Sequence, residues 1–292
     1  METVRDAGKI LLLTWEQMIQ YFGYGSNMDL VSLRAKGVEP HASAPAVLRG
    51  WELVFNVRHW FRHEGGVGNI RPSANPGSEV HGVVHQCVDG DLVQLDAMES
   101  RGVGYDRILV EVETGTGAVP AHAYIGLPAF LDDSCRPTQR YLNILVKGAE
   151  AANLPSRYVA RLREHPVQPM REYPPFRFPP GSDRIISRET LAGYPQYTAV
   201  GGAVFDMTNA RPDLAAVKPL LGGRDTTLFH LKRLDTSDGS ETLDDVRLDR
   251  ISDTGRRYLN AYLHEYDAEF EYVGRFTYDS TLPRKPDRSN HG

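Results

Sequence analysis

The stretch Tyr21-Phe22-Gly23-Tyr24-Gly25-Ser26-Asn27 is the most informative part of the first half of the chain. It joins an apolar start to two glycines and two small hydrogen-bonding side chains. Glycine lets the backbone turn sharply and lets a ligand approach its N–H groups closely, and Ser and Asn add hydroxyl and amide partners. The pattern predicts a strand that ends in a binding loop, and a bare turn is the alternative that this stretch alone leaves open.

A single carboxylate follows downstream, in Leu95-Asp96-Ala97-Met98-Glu99. Helical signal over Asp91 to Glu99 places it near the C-terminal end of a helix. Gly104-Tyr105 and the strand-like Ala121-His122-Ala123-Tyr124-Ile125 come next. Another helix is expected after Pro137, because proline is favourable at a helix start.

Strand signals dominate the rest of this half. Apolar and polar residues alternate in Trp51 to Val57 and in Ile108 to Glu113, which predicts strands. Glycine and proline interrupt the strands at short intervals, as in Pro72-Ser73-Ala74-Asn75-Pro76-Gly77. Short, closely spaced strands predict a small barrel.

Six segments in this order resemble the gamma-glutamylcyclotransferase family, over roughly residues 19–163. The matching segments are Tyr21 to Asn27, Gly65-Gly66-Val67-Gly68-Asn69-Ile70, Gly82-Val83-Val84, Leu95 to Glu99, the helix positions Tyr141, Ile144, Gly148 and Ala149, and Asn153-Leu154-Pro155. The resemblance implies an α+β fold, a small mixed β-barrel with flanking helices. The glutathione-degrading branch of that superfamily usually has Leu where Asn27 stands, so Asn27 indicates the general gamma-glutamyl branch.

The resemblance also implies an activity, the release of 5-oxoproline and a free amine or amino acid from a gamma-glutamyl amide. Glu99 matches the family's single catalytic acid, and a carboxyl group with a raised pKa can both accept and donate the required proton. The implied substrate-binding residues are Tyr24, Gly25, Ser26, Asn27, Tyr105, Tyr124 and Tyr141. The resemblance implies no cofactor and no metal.

The sequence also contains other candidate sites. Ser26 could be a nucleophile, but no Gly-x-Ser-x-Gly elbow surrounds it. His81, His85 and Cys87 share one face of a strand and could bind a metal, although four-residue spacing suits chelation better on a helix. We favour structural histidines there. The role of His122, two residues from Tyr124, stays open.

Bulk properties exclude several classes of protein. The chain has 292 residues, a net charge of -5, 41% apolar and 24% charged residues, which is globular composition. The acidic balance argues against nucleic-acid binding, so the basic and aromatic run Arg58 to His63 is expected to be a loop contact or pocket rim. No apolar run approaches the ~20 residues that a membrane helix needs. Cys87 and Cys135 are expected to be reduced thiols of a cytoplasmic protein.

Residues 165–184 form a predicted linker, rich in proline and interleaved with the aromatic residues Tyr173, Phe176 and Phe178. Polyproline II structure is expected there, and the aromatic residues suggest that the segment packs along a neighbouring domain. The predicted domains are 1–164, a cyclotransferase-like catalytic unit with a short leader at 1–18, and 185–280. Residues 281–292 are predicted to be a flexible tail.

The second domain is similar to cytochrome b5-like domains, especially the membrane-associated progesterone-receptor branch, which implies a second α+β fold. The similarity rests on the hairpin within Thr198 to Thr208, the turn Gly222-Gly223-Arg224-Asp225, and a helix with Leu259, Tyr262, Leu263, Tyr266 and Phe270 on one face, followed by Tyr272 to Phe276.

The iron ligands of those families are not matched. Arg211 and Lys218 stand where ligands are expected, and neither cation ligates iron. His230 could face a pocket, but a helix-face histidine is the simpler interpretation. We expect a haem-free domain that acts as a lid or binds a partner. A non-catalytic scaffold or binding protein and a haem electron-transfer protein are the alternatives for the whole chain.

Overall fold

The computed structural model describes residues 18–180 and 184–278, and both halves of the chain are α+β. Within these ranges the strands, numbered in chain order, are β1 (Met18–Gly23), β2 (Ala42–Arg49), β3 (Trp51–Arg58), β4 (Gly66–Pro72), β5 (Glu79–Val88), β6 (Tyr105–Thr114), β7 (Gly117–Gly126), β8 (Ile185–Ile186), β9 (Tyr197–Val200), β10 (Ala203–Asp206), β11 (Arg224–Asp225) and β12 (Glu271–Phe276). The α-helices are α1 (Leu30–Ala35), α2 (Asp89–Met98), α3 (Gln139–Ala151), α4 (Ser156–Arg163), α5 (Arg188–Ala192), α6 (Lys218–Leu221), α7 (Thr227–Leu231), α8 (Leu243–Arg247) and α9 (Asp253–Glu269).

Five strands of the first half close into a barrel in the order β1-β5-β2-β6-β7. Neighbours pair antiparallel except β1 and β7, which meet in parallel where Tyr21 pairs with His122. This confirms the small mixed barrel. Phe22, Val80 and Val112 lie in its apolar interior, and removing such side chains from water is the main drive for closure.

The strand predicted at Trp51 to Val57 is confirmed as β3, but it does not join the barrel. β3 pairs only with β4 among the described strands, in a separate two-stranded sheet. The predicted helices are also confirmed. α2 begins at Asp89, where the Asp91 carboxylate accepts the Val88 N–H at 3.2 Å, and α3 follows Pro137 with Thr138 as its N-cap.

The second half has a five-stranded sheet in the order β11-β9-β10-β12-β8. The hairpin expected within residues 198–208 is formed by β9 and β10, which pair antiparallel. The helix expected near the end is α9, and Leu259, Tyr262, Leu263 and Tyr266 on its one face are all buried. The apolar periodicity therefore located this helix and its buried face.

The proline-rich segment packs along the second half, as its aromatic residues suggested. Phe176 and Phe178 lie against the apolar core of that half. The Tyr173 hydroxyl donates to Glu265 at 2.7 Å, and the Phe176 N–H donates to Asn260 at 2.8 Å. The predicted leader falls almost wholly at residues 1–17 and the predicted tail at 281–292, and both lie outside the described residues.

The two halves share a core through the segment between β3 and β4. Phe61 inserts into the core of the second half, 5.0 Å from the Tyr266 ring centre and 5.5 Å from that of Tyr262. Beside it, the buried Glu64 carboxylate accepts hydrogen bonds from the hydroxyls of Tyr258 (2.6 Å) and Tyr262 (2.7 Å).

Arg140 of α3 forms an ion pair with Glu64. Burial alone would raise the pKa of Glu64, but the Arg140 guanidinium and the neighbouring histidines hold it well below its usual range. We call Glu64, Arg140, Tyr258 and Tyr262 the Glu64 cluster. It fixes α9 of the second half to α3 of the first.

A second buried polar group, His85 on β5, holds the loop that follows β1. Its Nε2 lies 2.9 Å from the Asn27 carbonyl oxygen and its Nδ1 2.8 Å from the Ser43 hydroxyl. Nε2 must carry the proton because a carbonyl only accepts, so the Ser43 hydroxyl donates to Nδ1. Burial lowers the pKa of His85 to about 4.

No helix within the described residues is long and apolar enough to cross a membrane.

Acidification should destabilise the fold through His85. An unfolded histidine has a pKa of roughly 6.5, whereas that of native His85 is about 4. Between these values the unfolded state binds the extra proton, so stability falls as pH drops from about 6.5 to 4, by up to about 3 kcal/mol. Urea unfolding of wild type and His85→Gln should show a shallower pH dependence for the variant. His41→Gln, at an exposed histidine, is the control, and parallel curves for wild type and His85→Gln would contradict this expectation.

Glu64→Gln should destabilise the junction between the halves, because it leaves the Arg140 guanidinium without its counter-charge and removes the charged acceptor of the Tyr258 and Tyr262 hydroxyls. Breaking a buried ion pair on one side typically costs about 3–5 kcal/mol. Urea unfolding at neutral pH measures the loss, with Glu111→Gln at an exposed position as the control. A loss for Glu64→Gln below about 1 kcal/mol would mean that the Glu64 cluster does not hold the halves together.

Candidate active site

A cavity of about 400 Å³ lies where the two halves meet. The first half contributes the binding loop, the end of α2 and the segment after β3, and the second half contributes α6, α7 and part of α9. The lining residues used below are Ser26, Lys36, Arg58, Glu99, Tyr105, Tyr141, Arg224, Asp225, Phe229, His230, Arg233 and Tyr262. The cavity is therefore built by both halves.

The loop after β1 turns into a single 3-10 turn, Ser26–Met28, closed by a 3.0 Å bond from the Met28 N–H to the Gly25 carbonyl. Gly25 has a φ of -110°, so it is not held by a left-handed backbone. It is required for space, because a Cβ there would lie 2.9 Å from the Tyr141 hydroxyl. The predicted binding loop is thus packed directly against α3.

Glu99 caps the C-terminal end of α2, as its place in the sequence predicted. Its Oε1 accepts from the Lys36 ammonium at 2.9 Å and from the Asn27 side-chain amide at 3.2 Å. Among the described residues no group hydrogen-bonds Oε2, and the side chain lines the cavity with 16% of its area exposed. One carboxylate oxygen is fixed and the other is available.

Lys36 is a site residue that the sequence analysis did not identify. Its ammonium is buried and bridges Glu99 Oε1 and Asn27 Oδ1, the latter at 2.7 Å. Burial lowers the pKa of Lys36, the Glu99 charge raises it, and the nearby Arg233 guanidinium lowers it further. Its sequence context, the end of a short helix before Gly37, is typical of a solvated lysine, so only the structure could locate it.

Tyr105 and Tyr141 line the cavity on the β4 side. The Tyr105 hydroxyl donates to the Gly68 carbonyl at 2.8 Å, and the Tyr141 hydroxyl accepts the Gly68 N–H at 3.0 Å. Burial raises the pKa of both phenols. They are therefore neutral hydrogen-bonding groups at physiological pH.

Tyr24 and Tyr124 lie behind the cavity wall. The Tyr24 hydroxyl donates to the Tyr124 carbonyl at 2.5 Å, and the Tyr124 hydroxyl donates to Asp96 at 2.7 Å. Asn27 is also buried there, with its side-chain amide 2.6 Å from the Tyr21 hydroxyl. These residues support the loop, whereas Glu99, Ser26, Tyr105 and Tyr141 reach the cavity itself.

The wall from the second half carries a histidine and a carboxyl group. The His230 ring stacks on Tyr262 with 3.6 Å between centres, and its Nε2 lies 3.2 Å from the Tyr266 hydroxyl. Burial raises the pKa of Asp225 to about 6. One Asp225 oxygen accepts from the Thr227 hydroxyl at 2.5 Å, and the other has no partner in the structure.

The contacts in the structure give little support to Ser26 as a nucleophile or to a metal site at His81, His85 and Cys87. No histidine hydrogen-bonds the Ser26 side chain within residues 18–180 and 184–278. His81 contacts Glu79 at 2.9 Å, and His85 is committed to Ser43 and the Asn27 carbonyl. The described part of the chain contains no group of three or more His, Cys, Asp or Glu side chains able to hold a metal ion.

The basic and aromatic run Arg58 to His63 lies at the rim of the pocket, as expected, and it also contacts the second half. Arg58 lines the cavity and donates to the Ala129 carbonyl at 2.9 Å, while Phe61 is buried in the second half. His122 on β7 does not reach the cavity. Burial is the main cause that lowers its pKa.

Comparison with known proteins shows what the first half is similar to. A sequence profile of the AIG2-like family matches residues 79–162. Gamma-glutamyl cyclotransferase aclK of Aspergillus oryzae is 24% identical over 52% of this chain and 63% of its own length. Gamma-glutamylcyclotransferase of Homo sapiens is 29% identical over 51% of this chain and 79% of its own.

A solved structure of a gamma-glutamyl cyclotransferase is 25% identical and superposes with a TM-score of 0.46, over 52% of this chain and 90% of the solved one. The chain spans less than two thirds of the fungal relative, 63% of its length. From the profile match and the curated relatives, the N-terminal half of this chain is similar to the AIG2-like, or gamma-glutamylcyclotransferase, family.

Proposed function

We propose that the chain is a gamma-glutamylcyclotransferase that releases 5-oxoproline and a free amine from a gamma-glutamyl amide. The observation that carries the proposal is Glu99, whose Oε1 is held by Lys36 and Asn27 while Oε2 is available to the cavity beside the Gly25–Asn27 loop. The relatives of the first half carry the same activity in their names.

This reaction requires little from the protein. The substrate's α-amine attacks its own γ-carbonyl carbon, closes a five-membered lactam and expels the attached amine. Because nucleophile and electrophile are in one molecule, holding it in a folded conformer supplies much of the rate. Glu99 Oε2 takes the proton that the α-ammonium must lose and returns it to the leaving amine.

The remaining site residues hold the glutamyl group. We assign direct contacts to Ser26, Tyr105 and Tyr141, which line the cavity, and to backbone N–H groups of the Gly25–Asn27 loop, which would polarise the γ-carbonyl. Tyr24, Asn27 and Tyr124 position that loop from behind. Their hydroxyl and amide groups are already paired within the protein.

Glu99→Gln should abolish most turnover, because the amide keeps the shape of the side chain but cannot transfer the proton. Proton transfer by a positioned group typically contributes ~10²- to 10⁴-fold. The measurement is 5-oxoproline release from a panel of gamma-glutamyl amino acids and amines, with Glu111→Gln as the control. Retention of more than about half of wild-type turnover by Glu99→Gln would exclude Glu99 as the acid/base. Absence of 5-oxoproline from every wild-type reaction would favour a non-catalytic binding or scaffold protein.

For the second half we propose a cytochrome b5-like fold within a domain at 185–280, joined by the linker at 165–184 to the catalytic domain at 1–164. We further propose that it does not bind haem. The residues do not fit that cofactor: the Lys218 ammonium donates to the Thr208 carbonyl at 3.1 Å, and Arg211 pairs with Glu269. His230 Nδ1 is buried without a partner, but its ring is stacked on Tyr262 with 3.6 Å between centres and its Nε2 lies 3.2 Å from the Tyr266 hydroxyl, so protein side chains occupy the space beside it.

Haem titration tests this second proposal. We expect no sharp Soret band and no stoichiometric complex with the purified protein. His230→Ala serves as the matched variant, because His230 is the imidazole at this wall of the cavity. A stoichiometric Soret band that His230→Ala removes would overturn the proposal and support the electron-transfer alternative.

A further inference from the structure

Arg233 brings a charge from the second half into the cavity that contains Glu99. It lies two residues after α7 and lines the cavity wall. Its guanidinium carbon is 4.9 Å from the centre of the Phe229 ring, so the aromatic face supports the planar group. Its carbonyl accepts from the Arg140 guanidinium at 2.7 Å. The Glu64 cluster therefore also fixes the backbone of Arg233 against α3.

The Arg233 guanidinium has no carboxylate partner within the described residues. The cations that line the cavity are Lys36, Arg58, Arg224 and Arg233, whereas its carboxyl groups are Glu99 and Asp225. Glu99 is already paired with Lys36, and Asp225 accepts from Thr227. The part of the cavity near Arg233 thus carries an uncompensated positive charge.

The position of this charge relative to the proposed chemistry indicates what it binds. Arg233 lines the same cavity as Glu99 but comes from the second half, and its charge lowers the pKa of the buried Lys36 ammonium that pairs with Glu99. If the Gly25–Asn27 loop and Glu99 hold the glutamyl end, the leaving amine extends towards the wall from the second half. Guanidinium groups bind carboxylates through two parallel hydrogen bonds, which gives both affinity and orientation.

We propose that Arg233 is a specificity-determining residue that binds a carboxylate on the leaving amine, so that the second half of the chain selects which gamma-glutamyl compounds are cyclised. This inference rests on the proposed cyclotransferase activity. It makes the second half a wall of the active site in place of a detached partner-binding module.

The test compares two substrates that differ only in the charge of the leaving group, gamma-glutamyl-alanine and gamma-glutamyl-alaninamide. We expect Arg233→Gln to lower kcat/KM for gamma-glutamyl-alanine by about 10- to 100-fold, the range for a hydrogen bond to a charged group. The amide substrate should change less than about threefold. Arg233→Lys should recover part of the loss, because it keeps the positive charge but not the paired N–H donors of the guanidinium. Lys232→Gln removes the adjacent charge, which does not line the cavity, and should leave the substrate preference unchanged.

An equal loss for both substrates would place Arg233 at the glutamyl end or in the fold and overturn the proposal, as would no loss for either. Binding of glutaryl-alanine and glutaryl-alaninamide, which lack the attacking amine, separates this inference from the proposed activity. One outcome is that wild type releases no 5-oxoproline and still binds glutaryl-alanine about tenfold more tightly than glutaryl-alaninamide. If Arg233→Gln then removes that preference, the proposed activity is wrong and the carboxylate site is supported. If wild type and Arg233→Gln bind glutaryl-alanine with the same affinity, the proposed carboxylate site is wrong whether or not 5-oxoproline forms.

Discussion

The buried carboxylate of Glu64 is the constraint on which the arrangement of the two halves depends. A carboxylate removed from water is costly unless charge and hydrogen bonds replace its hydration. Arg140 supplies the charge from the first half, and Tyr258 and Tyr262 supply two hydroxyls from the second. Glu64 and Arg140 both belong to the first half, so separating the halves would remove the Tyr258 and Tyr262 hydroxyls from Glu64 and the Arg233 carbonyl from Arg140. The cluster therefore favours one relative position of the barrel and α9.

That fixed position has a direct consequence for the site. Arg140 contacts both the Glu64 carboxylate and the Arg233 carbonyl, and Tyr262 both donates to Glu64 and lines the cavity. Tyr262 thus both joins the halves and forms part of the cavity wall, and Arg140 holds the backbone of Arg233, another lining residue. Phe61 contributes apolar burial at the same junction. A change at the interface is therefore expected to alter the shape of the cavity.

The sequence predicted those parts of the fold and site whose signals are local. The Gly25–Asn27 loop, α2 with Glu99 at its end, and α9 with its buried face are each encoded within one short segment, so periodicity and motif spacing locate them. Lys36 and Glu64, and Arg233 with the role proposed for it, were missed because their contacts are with residues distant in the chain, such as Glu64 with Tyr262. In isolation each resembles a solvated charge. The separate pairing of β3 with β4 was missed for the same reason, since alternation identifies a strand but not its neighbour.

The proposed chemistry explains how one half can carry out the reaction while the other sets substrate preference. Cyclisation uses a nucleophile that the substrate carries itself, so the reacting end needs only a folded conformer and one proton-transfer group, and Glu99 with its Lys36 and Asn27 contacts can provide these within the barrel domain. The leaving amine takes part in the reaction only as it departs. Residues that contact it can therefore vary without changing the chemistry, and a wall supplied by a second domain can set substrate preference independently of Glu99. A barrel that keeps one reaction and a second domain that supplies Arg233 are consistent with that separation.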